Sequence, residues 1–411
     1  MKSIDDYAPV AGEDVIDHLR QISAPLKGLK VVHVNSTKVG GGVAEILDRI
    51  VPLMQELGID TRWEVIKGEE TFYECTKSFH NALQGQFASV SDSLLKTYER
   101  TNQENAEALR PVLEEADVVF IHDPQPLQLL KSTPNRRGKW LWRCHIDLSH
   151  PYRPIWKYLR EFARGYDASI FSLADFAQPL PHTQYLVPPS IDPLSDKNIE
   201  LTPRMIRETQ DQFYIDPEQP MILQVSRFDR FKDPVGVIRA YRLAKRFSPG
   251  LQLVLAGGGA SDDPEGNIVL NEVREEANDD PDIRILLLPS DAHRSINALQ
   301  RAATFIIQKS IKEGFGLTVT EGLWKGKPVI GGDTGGIRLQ IIDHHTGFLV
   351  STPEGAALRI RYLMRQPGKA QEMAIKGKEF VRQNFLITRH LREYLSIMVA
   401  IIHGHEDRVE F

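Results

Sequence analysis

Lys312–Gly332 reads KEGFGLTVTEGLWKGKPVIGG. The run before it, Ala302 to Gln308 (AATFIIQ), is apolar and of strand length, and Pro328 to Ile330 begins another strand. Between them lie a loop and a helix. Glycine lacks a Cβ, so Gly314 and Gly316 let the backbone turn tightly and come close to a ligand. The helix beginning near Leu317 points its first unbonded N–H groups above that turn, and this end of a helix favours phosphate. Glu313 and Glu321 bracket the turn as Glu-x7-Glu. A carboxylate beside a phosphate is repelled by it, so these two suit the acceptance of hydrogen bonds from hydroxyls. Phosphate at a helix start with hydroxyls on both sides describes a nucleotide sugar. Either glutamate alone reads as a solvated side chain. The pair around Gly314-Phe315-Gly316, followed by Lys327-Pro328-Val329-Ile330, is the specific signal.

Composition narrows the class. A chain of 411 residues holds two or three domains. Hydrophobic content of 41% and charged content of 26% describe a water-soluble protein with a core. The net charge of −5, with acids and bases interspersed, lacks the basic stripe of a nucleic-acid binder. Cys75 and Cys144 have no metal spacing and read as free buried thiols. The polar, acidic start MKSIDDYAPVAGEDVID lacks the apolar core of a signal peptide, and no apolar run has the length of a membrane span. The expectation is a cytoplasmic enzyme acting on small molecules, with neither nucleic acid nor membrane as partner. A homodimer stays open.

Asp14 to Ile22 reads as a short helical lead-in. Lys30 to Asn35 (KVVHVN) is the first buried strand, followed by the glycine turn Thr37–Gly42 and a helix with Val43, Ile46, Leu47, Ile50, Met54 and Leu57 on one face. Pro52 is expected to kink that helix. Glu45 stands where G-x-G-x-x-G needs glycine, so a dinucleotide fingerprint is weak. A plain strand-to-helix turn is the competing reading. Further strands are expected at Thr61–Ile66, Asp117–His122, Trp140–Asp147, Ala168–Ser172 and Tyr185–Val187. Open parallel sheets bind ligands beyond the carboxyl ends of their strands. Three polar clusters fall there: Gly40 to Gly42, His122-Asp123-Pro124-Gln125, and His145 to Asp147. The Pro-, Asp- and Ser-rich run Val187–Pro203 reads as a linker.

A second doubly wound domain opens with Met221–Val225, running into Ser226-Arg227-Phe228-Asp229-Arg230-Phe231-Lys232. Asp233-Pro234 supplies an N-cap and first-turn proline. Strands at Leu251–Ala256, Ile283–Leu288, Thr304–Gln308, Val329–Gly331 and Gly347–Val350 complete its sheet. Arg227 and Lys232 could neutralise a leaving diphosphate; an ordinary solvated basic turn is the alternative. Asp280-Pro281-Asp282 has the Asp-x-Asp form used by metal-dependent transferases, but it lies in an acidic loop and reads as solvated surface. No metal cluster is visible.

Arg-x4-Lys followed by Glu-x7-Glu, in that chain order, resembles the retaining nucleotide-sugar glycosyltransferases of the glycogen-synthase and sucrose-synthase type. The resemblance spans nearly the whole chain. It implies an α/β protein of GT-B architecture, two Rossmann-like doubly wound domains facing a central cleft: residues 1–195 on the acceptor side, 196–385 on the donor side, and 386–411 a helix crossing back to the first domain. By position it implies Glu321 at the ribose hydroxyls and Glu313 by the donor sugar, with Gly41, Gly42, Gly314, Phe315, Gly316 and Leu317 also on the donor. Arg227 and Lys232 take up diphosphate charge. Within the family, HNALQG, HDPQP and WRCHIDLS look most like the trehalose synthases of the glycosyltransferring type. That implies glucose transfer from a nucleoside-diphosphate glucose to free glucose, giving an α,α-1,1 linkage reversibly. His145 is then the donor-sugar histidine, and His122, Asp123, Gln125 and Asp147 lie on the acceptor side. No cofactor is required, with stimulation by Mg²⁺ left open. A trehalose phosphorylase, or a transferase with another sugar acceptor, is the alternative.

Overall fold

A computed structural model describes residues 2–38, 41–258, 264–289 and 291–403. Val39, Gly40 and Gly259 of the two glycine turns, and residues 404–411, lie outside this set. The chain divides into two units, Met1–Ser190 with Ile387–Phe411, and Ile191–Leu386.

The first unit is built on six parallel strands: β1 (Lys30–Asn35), β2 (Asp60–Val65), β3 (Val118–His122), β4 (Lys139–Arg143), β5 (Ala168–Phe171) and β6 (Thr183–Leu186). Their order is β2-β1-β3-β4-β5-β6. Strands β3 and β5 are buried along their whole length, as both faces of the sheet are covered by crossover helices. The helix Gly42–Glu56 follows β1 and runs on past Pro52, whose missing N–H costs one bond in a helix held by a buried apolar stripe. The lead-in forms the helix Glu13–Ser23, which packs on the last helix, Ile387–His403. Ser190 Oγ lies 2.9 Å from His390 Nδ1, and the Arg389 guanidinium donates to the carbonyls of Pro188 and Pro189 at 2.9–3.0 Å.

The second unit has β7 (Met221–Val225), β8 (Gln252–Gly257), β9 (Ile283–Leu287), β10 (Phe305–Gln308), β11 (Val329–Gly332) and β12 (Phe348–Val350). The order is β12-β11-β10-β7-β8-β9, again all parallel. Ala302 belongs to the preceding helix His293–Ala302, and β10 begins only at Phe305; the apolar Ala302-Ala303 reflects packing of a helix end, not strand. The two ends of this unit meet, Ile191 N donating to Phe385 O at 2.9 Å. In each sheet the strand order reverses once, between β1 and β3 and between β7 and β10. Loops leaving adjacent strands diverge there and open a crevice at the carboxyl ends. Asp280 and Asp282 share a lysine: Lys245 Nζ lies 3.0 Å from one and 2.7 Å from the other, and the Asp282 side chain stays 42% exposed.

Candidate active site

At the β7/β10 reversal the loops 226–233 and 309–316 are pinned together. Ile311 N donates to Phe231 O at 2.8 Å, and Gln224 Nε2 donates to Lys232 O at 2.8 Å. Lys309, 4% exposed, pairs with Asp233. Asp233 has φ +50° and caps the helix Pro234–Lys245 by accepting from Gly236 N, a left-handed role that aspartate tolerates. Lys232 Nζ therefore reaches both carboxylate oxygens of Glu313, 2.7 Å each. Ser310 Oγ donates to Glu313 Oε2 at 3.0 Å. The Glu313 carboxylate is 8% exposed. Two of the three ammonium donors of Lys232 are engaged, leaving one for a phosphate oxygen.

Gly316 caps the helix Leu317–Trp324 at φ +83°, without a side-chain cap. A Cβ there would stand 3.1 Å from Glu313 Cγ, so glycine is needed for both conformation and approach. The first amides of this helix precede its hydrogen-bond ladder and stay open for an anion. Phe315 is buried against Phe385, and Gln340 Nε2 donates to the Phe315 carbonyl. Gly336 presses on this loop: a Cβ there would meet Phe315 Cα at 2.5 Å. One turn into the helix, Glu321 is 5% exposed and accepts from Gln300 Nε2 at 3.0 Å. Arg227 is the exposed member of the set, its side chain 69% exposed and 3.7 Å from Asp229.

In the first unit, Gly41 (φ +82°) and Gly42 begin the helix after β1. Beyond β3, Asp123 adopts φ +63°. Its amide donates to Arg143 O and its Oδ1 accepts from the His145 amide, both at 2.8 Å. Tyr98 Oη donates to Pro124 O at 2.8 Å, and Asn102 Nδ2 donates to Gln125 O at 3.1 Å, so the helix Asp92–Glu115 clamps this loop. Asp147 is buried, its carboxylate accepting from Ser149 N at 2.8 Å. His122 is 1% exposed, with Nε2 3.0 Å from His33 and Nδ1 3.0 Å from His145. Both ring nitrogens are taken, so His122 reaches a ligand through His145 and not directly.

Residues 33–178 match the family model described as "Trehalose synthase, N-terminal domain", and residues 205–380 match "Glycosyl transferases group 1". A trehalose synthase of Pyrococcus horikoshii is 45% identical over 404 residues, covering 97% of this chain and 97% of the relative. The chain belongs to the trehalose synthase family. It is a glycosyltransferase of the hexosyl-transferring class with the GT-B fold. A trehalose phosphorylase of Pleurotus pulmonarius is 30% identical over 83% of this chain and 52% of its own length. The fold is shared with a solved UDP-forming α,α-trehalose-phosphate synthase of Burkholderia xenovorans, at TM-score 0.73 and 15% identity over 90% of this chain and 100% of that one.

In this trehalose synthase family member, Lys232, Glu313, Gly314, Phe315, Gly316, Leu317 and Glu321 gather at one crevice of the second unit. Gly41, Gly42, His122, Asp123, Gln125, His145 and Asp147 stand at carboxyl ends of the first sheet. Reasoning from the sequence missed Ser310, Lys309, Asp233 as a clamp, Gln300, Gly336 and His33. Only Gly335-Gly336, a second glycine pair after a strand, carried a readable signal.

Burial pushes the Asp123 carboxyl up to about 6, opposed by the His145 amide and by the charge of Arg143. If Asp123 meets the acceptor as a carboxylate, kcat/KM for the acceptor falls about tenfold per pH unit below about pH 6. A profile taken with saturating donor checks this, and an acid limb only near the ordinary carboxylate value refutes it. Lys325, one turn beyond Glu321, is 7% exposed with its Nζ 2.9 Å from Asn198 Oδ1. Burial depresses its pKa to about 7. The folded chain then binds fewer protons than the unfolded one between about pH 7 and about pH 10.4. Stability is full above that window and is lost as pH falls through it, by about 1.4 kcal/mol per unit. Lys325→Met should flatten the pH dependence of denaturant unfolding in this range.

Proposed function

We propose that the chain is a retaining glucosyltransferase that joins the glucose of a nucleoside-diphosphate glucose to free glucose, giving α,α-trehalose, reversibly. The observation carrying this reading is the Lys232–Glu313–Ser310 cluster beside the uncapped helix start at Gly316, with Glu321 held one helix turn further on. Cation and helix amides suit the diphosphate, and the two carboxylates suit the hydroxyls on either side of it. Glu321 takes the ribose. Arg227 and the third donor of Lys232 neutralise charge as the diphosphate leaves. His145 and Glu313 hold the glucose hydroxyls, and Asp123, Gln125 and Asp147 serve the acceptor. The acceptor hydroxyl attacks on the face the diphosphate leaves, and a phosphate oxygen takes its proton. Retention then needs no side-chain nucleophile.

The reading includes cytoplasmic small-molecule metabolism without a required cofactor. Likeness to the phosphorylase of Pleurotus pulmonarius favours a second reading, in which inorganic phosphate replaces the nucleotide. A panel of nucleoside-diphosphate glucoses and glucose 1-phosphate against several sugar acceptors, with product linkage determined, tests both. Trehalose from a nucleotide donor supports the first. Trehalose from glucose 1-phosphate alone overturns it.

A further inference from the structure

Three histidines from three strands form one line. His33 lies within β1, His122 ends β3, and His145 follows β4. His33 Nδ1 is 3.0 Å from His122 Nε2, and His122 Nδ1 is 3.0 Å from His145 Nε2. The rings are held by stacking: His33 lies 4.6 Å from Phe120 at 5°, and His122 lies 5.4 Å from His145 at 16°. His33 and His122 are buried and His145 is half-buried. Burial lowers all three; His33 falls to about 3, and Arg143 adds its charge against protonation of His122 and His145. The rings are neutral at physiological pH.

A neutral imidazole carries one N–H. Three such rings joined by two hydrogen bonds have only two consistent arrangements. In one, each Nδ1 carries the proton, His33 donates to His122, His122 donates to His145, and His145 presents Nδ1–H outward. In the other, each Nε2 carries the proton and His145 presents a lone pair. The buried end decides between them. Nε2 of His33 has no partner among the described residues, and the second arrangement would place a donor there. Tyr394, stacked on His33, neighbours the buried guanidinium of Arg143, whose Nε and Nη1 also lack partners. That region holds the Nε and Nη1 donors of Arg143 and the Tyr394 hydroxyl, none with a partner among the described residues. A lone pair fits it better than another N–H, since orphaned buried N–H groups are the rarer kind.

We infer that His33 and His122 are positioning residues that lock His145 in its Nδ1–H form, so that His145 meets the sugar only as a hydrogen-bond donor. His145 Nδ1 has no partner among the described residues and is the ring atom left for a ligand. The sugar as its target rests on the glucosyltransferase reading; the lock itself does not. A locked donor contacts a hydroxyl or ring oxygen through that oxygen's lone pair and takes no proton from it, in line with a phosphate oxygen serving as base.

Nitrogen NMR of the full chain carrying labelled histidine reads the tautomers without substrate, with His145→Asn identifying the His145 signals. The expected result is a protonated Nδ1 and an unprotonated Nε2 at His145, unchanged across the neutral pH range. The reverse assignment overturns the inference. His122→Asn offers His145 either a donor or an acceptor. It should give a tautomer mixture at His145 and a loss of kcat of about three- to tenfold, beside the modest fall in melting temperature that trimming a buried ring brings. An unchanged tautomer in that variant also overturns the inference. The amide N–H of His145→Asn stands near the Nδ1 position and that of His145→Gln near Nε2, so the Asn variant should keep about tenfold more activity. A locked tautomer in a chain that makes no trehalose would refute the glucosyltransferase reading alone.

Discussion

Glu321→Ala is expected to lower kcat/KM for a nucleoside-diphosphate glucose about a thousandfold. The carboxylate is 5% exposed, and Gln300 holds one of its oxygens at 3.0 Å. It is an oriented charge that two vicinal ribose hydroxyls would meet. A hydrogen bond to a charged group is worth about 1.5–3 kcal/mol, so losing two removes about 3–6 kcal/mol. The ribose does not react, so the loss should fall mainly on the donor KM. Gln300 would be left unpaired in a buried site, with a modest fall in melting temperature that circular dichroism can follow. Steady-state kinetics with the donor varied is the check. A change under about threefold would remove Glu321 from the ribose. If transfer from glucose 1-phosphate survived in the same variant, the phosphorylase reading would gain.

The second large effect is at the ion pair. Lys232→Met keeps the apolar stem of the side chain without its ammonium and leaves Glu313, 8% exposed, with Ser310 as its remaining partner. Breaking a buried pair from one side is destabilising by about 3–5 kcal/mol, because the other charge stays behind. The double variant Lys232→Met/Glu313→Gln removes that charge, so its stability should return most of the way to that of the parent. Its activity should not return. With Lys232 proposed at the leaving phosphate and Glu313 at the sugar, kcat should fall about a hundred- to thousandfold in both single variants and in the double one. Denaturant melts and kcat measured on all four proteins complete the cycle. A double variant within tenfold of the parent in kcat would show the pair to be a structural brace.

The same pair marks the limit of what local patterns carry. Alternation of apolar runs with glycine turns and one-sided helices was enough to read two doubly wound halves and to place most of the strands. Glu313, Gly316 and Glu321 were legible because loop, helix start and one helix face occupy neighbouring positions in the chain. The partner of Glu313 was not: Lys232 lies 81 residues away. Arg227 and Lys232 looked equivalent in the sequence, yet one is mostly exposed and the other nearly covered. His33 was hidden in KVVHVN, where a histidine inside an apolar run signals only burial.

The sequence by itself determined the element types, the two-domain plan and the family signatures, because periodicity, caps and glycines act within a few residues of one another. The tertiary structure alone decided the strand order and which loops share a crevice. It also decided that His122 lies beneath His145 rather than at the surface. Those outcomes depend on pairing between distant strands: β7 meets β10, and β3 sits between β1 and β4. No local propensity encodes that adjacency, which follows from burying both faces of each sheet together.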